Sequence, residues 1–196
     1  LYKELLNFCT VDLSAFYFDI RKDSLYCDSK DSKKRQSTII LLNVILKSLL
    51  RWFAPILSFT TEEIYRLIMN DNKSVHLTKF LEFPKSFKNE NLNQKWLELI
   101  KIRNVCNISI EEKRASKEIG SSLEASLKIN LDKKLNEISK DVDFSELCIT
   151  SSAEVSYLDN SETKVQTTKA EGSKCQVCWK ITKNACSRKT CPQQTE

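Results

Sequence analysis

From Tyr2 to about Tyr26, apolar residues recur at Leu6, Cys9, Leu13, Phe16 and Ile20, separations of three or four that gather them on one helical face. The pattern predicts an opening helix. Asp28 to Lys34 alternates acids with Lys30, Lys33 and Lys34 and offers no core residue, which predicts a solvated connection or a helix start. Residues 36–53 are the most apolar stretch, and Asn43, Lys47 and Arg51 stand four apart within it, marking one polar stripe on an otherwise buried cylinder. On such a helix Arg51 is expected to be paired within the core or at a domain seam. Pro55 cannot continue this helix. Thr60 and Glu63 then have the spacing of a capping box, which starts a new helix at Thr61 and carries it to about Met69.

Phe80 to Phe87 is aromatic and contains Pro84, predicting an extended strap packed over the helices, and the polar run Asn89 to Asn93 reads as a linker. A long helix follows from about Asn93 to Glu118, with Trp96, Leu99, Ile102 and Cys106 on one face and Gly120 as its C-terminal cap. Its charged end, Glu111 to Glu118, should project into solvent. At Ser122 the period changes: Leu123, Ala125, Leu127, Ile129 and Leu131 alternate with Glu124, Ser126, Lys128 and Asn130, the signature of a half-buried strand. A short helix at Lys133 to Ile138 and strands at Glu146 to Thr150 and Glu154 to Leu158 would complete a small α+β unit. The fold expected is mostly α: a helical bundle over 1–120, a small α+β domain over 121–158, a polar linker over 159–173, and a terminal unit over 174–196.

Composition agrees with long helices. Only two glycines and three prolines occur, against roughly 12% for the two together in an average protein. The chain begins at Leu1 inside an amphipathic pattern, so the natural N-terminus is expected upstream, and the absence of a signal-peptide pattern or an uninterrupted apolar span predicts a soluble, cytosolic protein without membrane attachment. The net charge is +5, but Lys164 to Cys191 holds seven basic residues against Glu171, a local charge of +6 that leaves the remainder near −1. That asymmetry fits a tail that approaches phosphate; a merely solvated lysine-rich tail gives the same count.

Of eight cysteines, Cys9, Cys27, Cys106 and Cys148 are scattered and read as small buried or partly buried thiols. The others, Cys175, Cys178, Cys186 and Cys191, form C-x2-C-x7-C-x4-C. Two cysteines separated by two residues turn both sulfurs toward one point, and four thiolates close the tetrahedral shell of one structural Zn²⁺, with no position left for a reactive water. A redox C-x-x-C, disulfides or idle thiols are the other uses of such a cluster. A segment with so little apolar content needs the metal in order to fold. Trp179, directly after the second cysteine and among Lys174, Lys180 and Lys183, either faces solvent to stack on an unpaired base or packs against the helical body.

The segments Leu13-Ser14-Ala15-Phe16-Tyr17-Phe18-Asp19-Ile20-Arg21-Lys22-Asp23, Leu50-Arg51-Trp52-Phe53-Ala54-Pro55-Ile56-Leu57, Ile119-Gly120-Ser121-Ser122-Leu123-Glu124-Ala125 and Cys175-x-x-Cys178-Trp179 together resemble the region that follows the catalytic core in bacterial-type isoleucyl-tRNA synthetases. The resemblance runs along nearly the whole chain. It implies a helical anticodon-binding domain, a small junction domain and a zinc tail that grips transfer RNA, in an enzyme that joins isoleucine to tRNA(Ile) using ATP. The ATP-binding signature motifs and the editing domain of that family are absent here, so the chain alone should be catalytically inactive, bind no ATP and act as a monomeric unit alongside the rest of the synthetase chain. One departure stands out: the family closes its zinc site with a second C-x-x-C, whereas four residues separate Cys186 from Cys191.

On this reading the helical body meets the anticodon stem and loop. Lys101, Arg103, Arg114 and Lys117 are the candidates on the long helix, and Trp179 and Lys180 those in the knuckle. The rival readings are a valyl-type synthetase fragment, a freestanding zinc-knuckle RNA-binding protein, and a scaffold module whose knuckle binds protein.

Overall fold

The structure, a computed structural model, describes residues 1–69, 73–157 and 162–184 together with Cys186 and Arg188. It divides into two units, one formed by Leu1–Ser29 with Asn89–Glu196 and the other by Lys30–Lys88. Among the described residues no helix is long and apolar enough to cross a membrane.

In the first unit, α1 (Tyr2–Asn7), a wide-turned π segment (Phe8–Phe18) and α2 (Asp19–Cys27) run on without a break, as the opening periodicity predicts. The long helix, numbered α5 here, spans Glu90–Ala115 and is capped by Asn89, whose side chain accepts from the Leu92 amide at 3.0 Å. Its inward face, Leu99, Ile102, Cys106 and Ile110, is buried, whereas Trp96, expected on the same face, lies at the helix's first turns and is exposed. Gly120 is not its cap. Lys117 takes the left-handed conformation (φ 60) one residue after the C-cap Ser116, and the Lys117 and Glu118 amides donate to the Arg114 and Lys113 carbonyls at 3.0 and 3.1 Å, closing a Schellman turn.

The strand read from the alternation is present as β1 (Ala125–Leu131), with Ala125, Leu127, Ile129 and Leu131 wholly removed from water. It is the middle of a three-stranded sheet, parallel to β2 (Ser152–Tyr157) and antiparallel to β3 (Lys164–Lys169). Between β1 and β2 lie α6 (Lys133–Ser139), capped by Asp132, and α7 (Phe144–Leu147), capped by Asp143. Residues 146–150, expected as a strand, thus begin in a helix, because the Asp143 side chain accepts from the Ser145 and Glu146 amides and nucleates a turn. The second strand expectation is met over Ser152–Tyr157, and Leu158 lies outside the described residues, as do residues 159–161 of the expected linker.

β3 falls in the stretch that reads as structureless. Its two inward residues are Val165 and Thr167, and Thr167 is polar yet buried because its hydroxyl meets that of Ser109 on α5 at 2.7 Å. A buried hydroxyl with a partner leaves no hydrophobic signal in the sequence.

In the second unit, α3 (Lys33–Phe53) starts at the N-cap Ser32 and α4 is Ser58–Met69. The turn after α3 is closed by the Ile56 and Leu57 amides on the Phe53 carbonyl. Thr60 therefore sits inside α4, not at its cap, and the expected capping box does not form. Leu50, Ala54, Tyr65 and Val75 make this unit's core. Within the unit, α4 and the Val75–Leu77 turn pack on α3 and cover one face of it, so Ile39, Ile40 and Leu41 are exposed and the expected buried cylinder is half-open. Phe80, Phe83 and Phe87 are likewise exposed, so the strap is extended but not packed down. Arg51 is paired inside its unit, through the Lys47 and Lys79 carbonyls at 2.7 and 2.8 Å and the face of Tyr65.

The alternation of β1 gives a direct test of this packing. Leu127→Ala should lower stability by about 3 kcal/mol and Lys128→Ala, on the opposite face, by less than about 0.5 kcal/mol, both read from urea midpoints at constant slope.

Candidate functional site

The end of the described chain is a small hairpin, β4 (Ser173–Lys174) paired antiparallel with β5 (Ile181–Thr182), and the C-x-x-C turn is its loop. The Cys175 amide donates to the Lys180 carbonyl at 2.9 Å and the Trp179 amide to the Cys175 carbonyl at 3.0 Å, which curls the loop over its own sulfurs. Gly172 enters the hairpin at φ +126, where a Cβ would fall 2.1 Å from the Thr182 carbonyl oxygen, so this position admits only glycine.

Cys175, Cys178 and Cys186 are buried, and their sulfurs all lie within 4.8 Å of one another, with Cys178 and Cys186 4.0 Å apart. The Val177 amide donates to the Cys175 sulfur at 3.4 Å. A tetrahedral thiolate site with metal to sulfur near 2.3 Å places its sulfurs about 3.8 Å apart, so three of the four expected ligands are gathered near the spacing one ion could close. Cys191 lies outside the described residues. Burial first, and then the Cys175 and Cys186 sulfurs, push the Cys178 thiol up to about 12, against the pull of the Lys180 amide. Three cysteine sulfurs so close together could hold a metal ion, and the donor set suits a soft divalent one.

The hairpin is fastened to its unit at three points. Ser151, which donates to the Leu123 carbonyl, accepts from the Ile181 amide at 2.6 Å. Cys27 on α2 is buried with the three cysteines, and its thiol faces the Val177 carbonyl at 3.9 Å. Asp23 on α2 takes both terminal nitrogens of Arg188, Nη1 at 2.6 Å from Oδ1 and Nη2 on Oδ2, while Arg188 Nε lies 3.5 Å from Asp28 and Lys180 Nζ 3.9 Å from Asp23. Burial raises the Asp23 carboxyl, but Arg188 and then Lys180 outweigh it and hold the group below the ordinary carboxylate range. Nothing in the local sequence marks Asp23 or Cys27 as neighbours of a cluster some 150 residues away.

The candidate RNA contacts are dispersed. Trp179 is 59% exposed in the left-handed conformation (φ 63), with Lys174 over its ring at 5.9 Å. Lys180, its neighbour, points inward at Asp23 with its side chain 16% exposed. Arg103 is engaged inside the fold, Nε donating to the Leu147 carbonyl at 2.9 Å and the guanidinium over Phe16. Lys101 and Arg114 are exposed on α5 and paired within it to Glu98 and Glu111, and Lys117 is exposed at the Schellman turn. The structure therefore brings Trp179 and Lys180 together but separates them in direction, and it does not join the α5 cations to them.

A feature the sequence reading misses lies beside the hairpin. A cleft of about 920 Å³ opens between the polar face of the sheet and the hairpin, lined by Ser126, Lys128, Gln166, Thr168 and Lys169 on one wall. Lys128 and Lys169 form no ion pair among the described residues, unlike Lys183, which Glu171 engages at 2.6 Å. The signal was available: the outward positions of β1 and β3 are all polar or basic. Locating it required knowing that β3 exists.

Residues 1–129 match the family described as the anticodon-binding domain of tRNA ligase. The chain is similar to curated proteins named isoleucine-tRNA ligase: 68% identical to that of Pelagibacter ubique over 96% of this chain, 40% to that of Agrobacterium fabrum over 92%, and 38% to that of Gluconobacter oxydans over 92%. These alignments take in 21%, 20% and 19% of the relatives, so the chain spans about a fifth of their length.

The three-cysteine cluster is expected to hold one divalent ion per chain. Cys175→Ser should abolish its retention through gel filtration, whereas Cys27→Ser, which removes a thiol outside the three-sulfur group, should leave the metal content by elemental analysis unchanged.

Proposed function

Because the chain belongs to the anticodon-binding domain family of tRNA ligases, we propose that it is the transfer-RNA-binding part of an isoleucine-tRNA ligase, whose ATP-dependent joining of isoleucine to tRNA(Ile) takes place in the rest of the longer protein. The observation that carries this beyond the family match is Trp179: a large aromatic held outward on the cysteine hairpin, with a lysine across one face and, beside the hairpin, a cleft whose Lys128 and Lys169 form no ion pair among the described residues.

The helical residues 1–120, as a class I synthetase bundle, approach the anticodon stem, with Lys101, Arg114 and Lys117 on phosphates. Residues 121–158 join this part to the knuckle at 174–196. The knuckle holds one structural zinc on Cys175, Cys178, Cys186 and Cys191, and Trp179 stacks on a base that has left the helical stack. Four thiolates leave zinc no open position, so the metal supplies folding free energy to the hairpin and no bond chemistry. Lys128 and Lys169 contact backbone phosphates in the cleft, with Gln166 and the hydroxyls of Ser126 and Thr168 suited to sugar and base edges. Binding energy collected here would hold the acceptor end of the transfer RNA at a distant active site and contribute to catalysis through orientation. The protein would work as a monomer in the cytoplasm.

Trp179→Ala should weaken transfer-RNA binding by about five- to 150-fold, the equivalent of about 1–3 kcal/mol for one base stack, without changing the salt dependence. Replacing Lys128 and Lys169 together by Ala should flatten the slope of log affinity against log salt by about 1.4, at about 0.7 per single-strand phosphate. Filter binding between low and moderate salt reads both. An unchanged affinity for Trp179→Ala removes the stacking role.

A further inference from the structure

Asp23 lies on α2, which contributes neither a metal ligand nor a cleft wall, and it is an acid at the base of a hairpin read as gripping a polyanion. By charge alone it should hinder that grip. Its geometry says otherwise. Arg188 closes on it with two guanidinium nitrogens, Lys180 approaches the same carboxylate, and Asp28 faces Arg188 Nε. All four side chains are 16–23% exposed, so this network is shielded in a way that the isolated surface pairs of α5 are not.

The two cations occupy equivalent places in the knuckle. Lys180 follows Cys178 by two residues, and Arg188 follows Cys186 by two, so one carboxylate on α2 holds both limbs that carry the sulfurs. Trp179 sits between Cys178 and Lys180, with its backbone at φ 63. With Cys178 drawn to the sulfur cluster and Lys180 drawn to Asp23, the side chain between them is left facing solvent, where Lys174 covers one side of the indole.

We propose that Asp23 is a positioning residue for RNA recognition: by pulling Lys180 and Arg188 inward it clasps the metal hairpin to α2 and presents the indole of Trp179 outward. This rests on the reading of the knuckle as an RNA grip. It assigns to Lys180 and Arg188 an internal task, so that part of the tail's basic charge serves orientation and not phosphate contact. It also fixes the sign of a mutational effect against simple electrostatics, since removing an acid from an RNA-binding surface ordinarily strengthens binding.

The test uses the full-length ligase. Asp23→Asn should retain its metal, speed backbone hydrogen exchange over residues 173–184, and weaken transfer-RNA binding by about tenfold, a part-buried pair losing one partner. Asp23→Glu, which keeps the charge, should stay within about threefold of the native protein. Arg188→Gln should reproduce the Asp23→Asn loss from the tail side, where it cannot unfold the helical body. Unchanged or tighter binding by Asp23→Asn, while Trp179→Ala still weakens it, overturns the clasp and leaves the RNA reading standing. Insensitivity of binding to Trp179→Ala overturns the RNA reading, and the positioning role with it.

Discussion

The inward face of β1 has no contact with water, and β1 is the middle strand, so its pairing on both edges decides where the rest of its unit can go. On one edge β2 begins at Ser152, and the Ser151 amide just before it donates to the Ala125 carbonyl at 3.0 Å. On the other edge β3 ends at Lys169, and the Ala170 amide donates to the Glu124 carbonyl at 2.7 Å. The cysteine hairpin starts three residues later and is tied back by the Ile181 amide on Ser151. A hairpin with almost no apolar content of its own thus inherits its placement from the most completely buried of the described strands, and its internal order from the sulfur cluster.

Electrostatics then distributes the tail's positive charge unevenly. Lys180 and Arg188 are spent on Asp23 and Asp28, Lys183 on Glu171, and Lys174 covers Trp179. Among the described residues, Lys128 and Lys169 line the cleft without an ion pair, and both stand on the sheet, Lys169 being one of the seven cations of the basic segment. A count of charges along the basic segment therefore overstates what the hairpin itself offers a polyanion and overlooks Lys128 of β1. The same economy appears on α5, where Arg103 holds the Leu147 carbonyl and packs on Phe16, tying the long helix to the segment around α7.

The Asp19-Ile20-Arg21-Lys22-Asp23 segment takes on a structural meaning in this light. Ile20 enters the main core, Arg21 pairs with Glu146 of α7 at 2.8 Å, and Asp23 receives Arg188. Residues of one helical turn reach the core, the α+β layer and the cysteine hairpin, so α2 gathers parts of the chain that are far apart in sequence.

What the sequence determined by itself was local and periodic. The opening helix, α5 with its inward Leu99, Ile102 and Cys106, the alternation of β1, and the C-x-x-C turn all follow from spacing, because in each case the residues that must meet are separated by two, three or four positions. The four-residue window misled where competing local chemistry decided the outcome: the capping-box spacing at Thr60 lost to a helix that starts at Ser58, the Gly120 cap to Lys117 in the left-handed conformation, and the strand at Glu146 to the Asp143 cap. Only the tertiary structure could place β3, whose buried Thr167 is satisfied by Ser109, or bring Asp23 and Cys27 to the cysteine cluster, or separate the inward Lys180 from the outward Trp179. The physical reason is common to all three: a polar residue is buried, or a charge is turned inward, when a partner distant in sequence meets it, and no pattern along the chain records that partner.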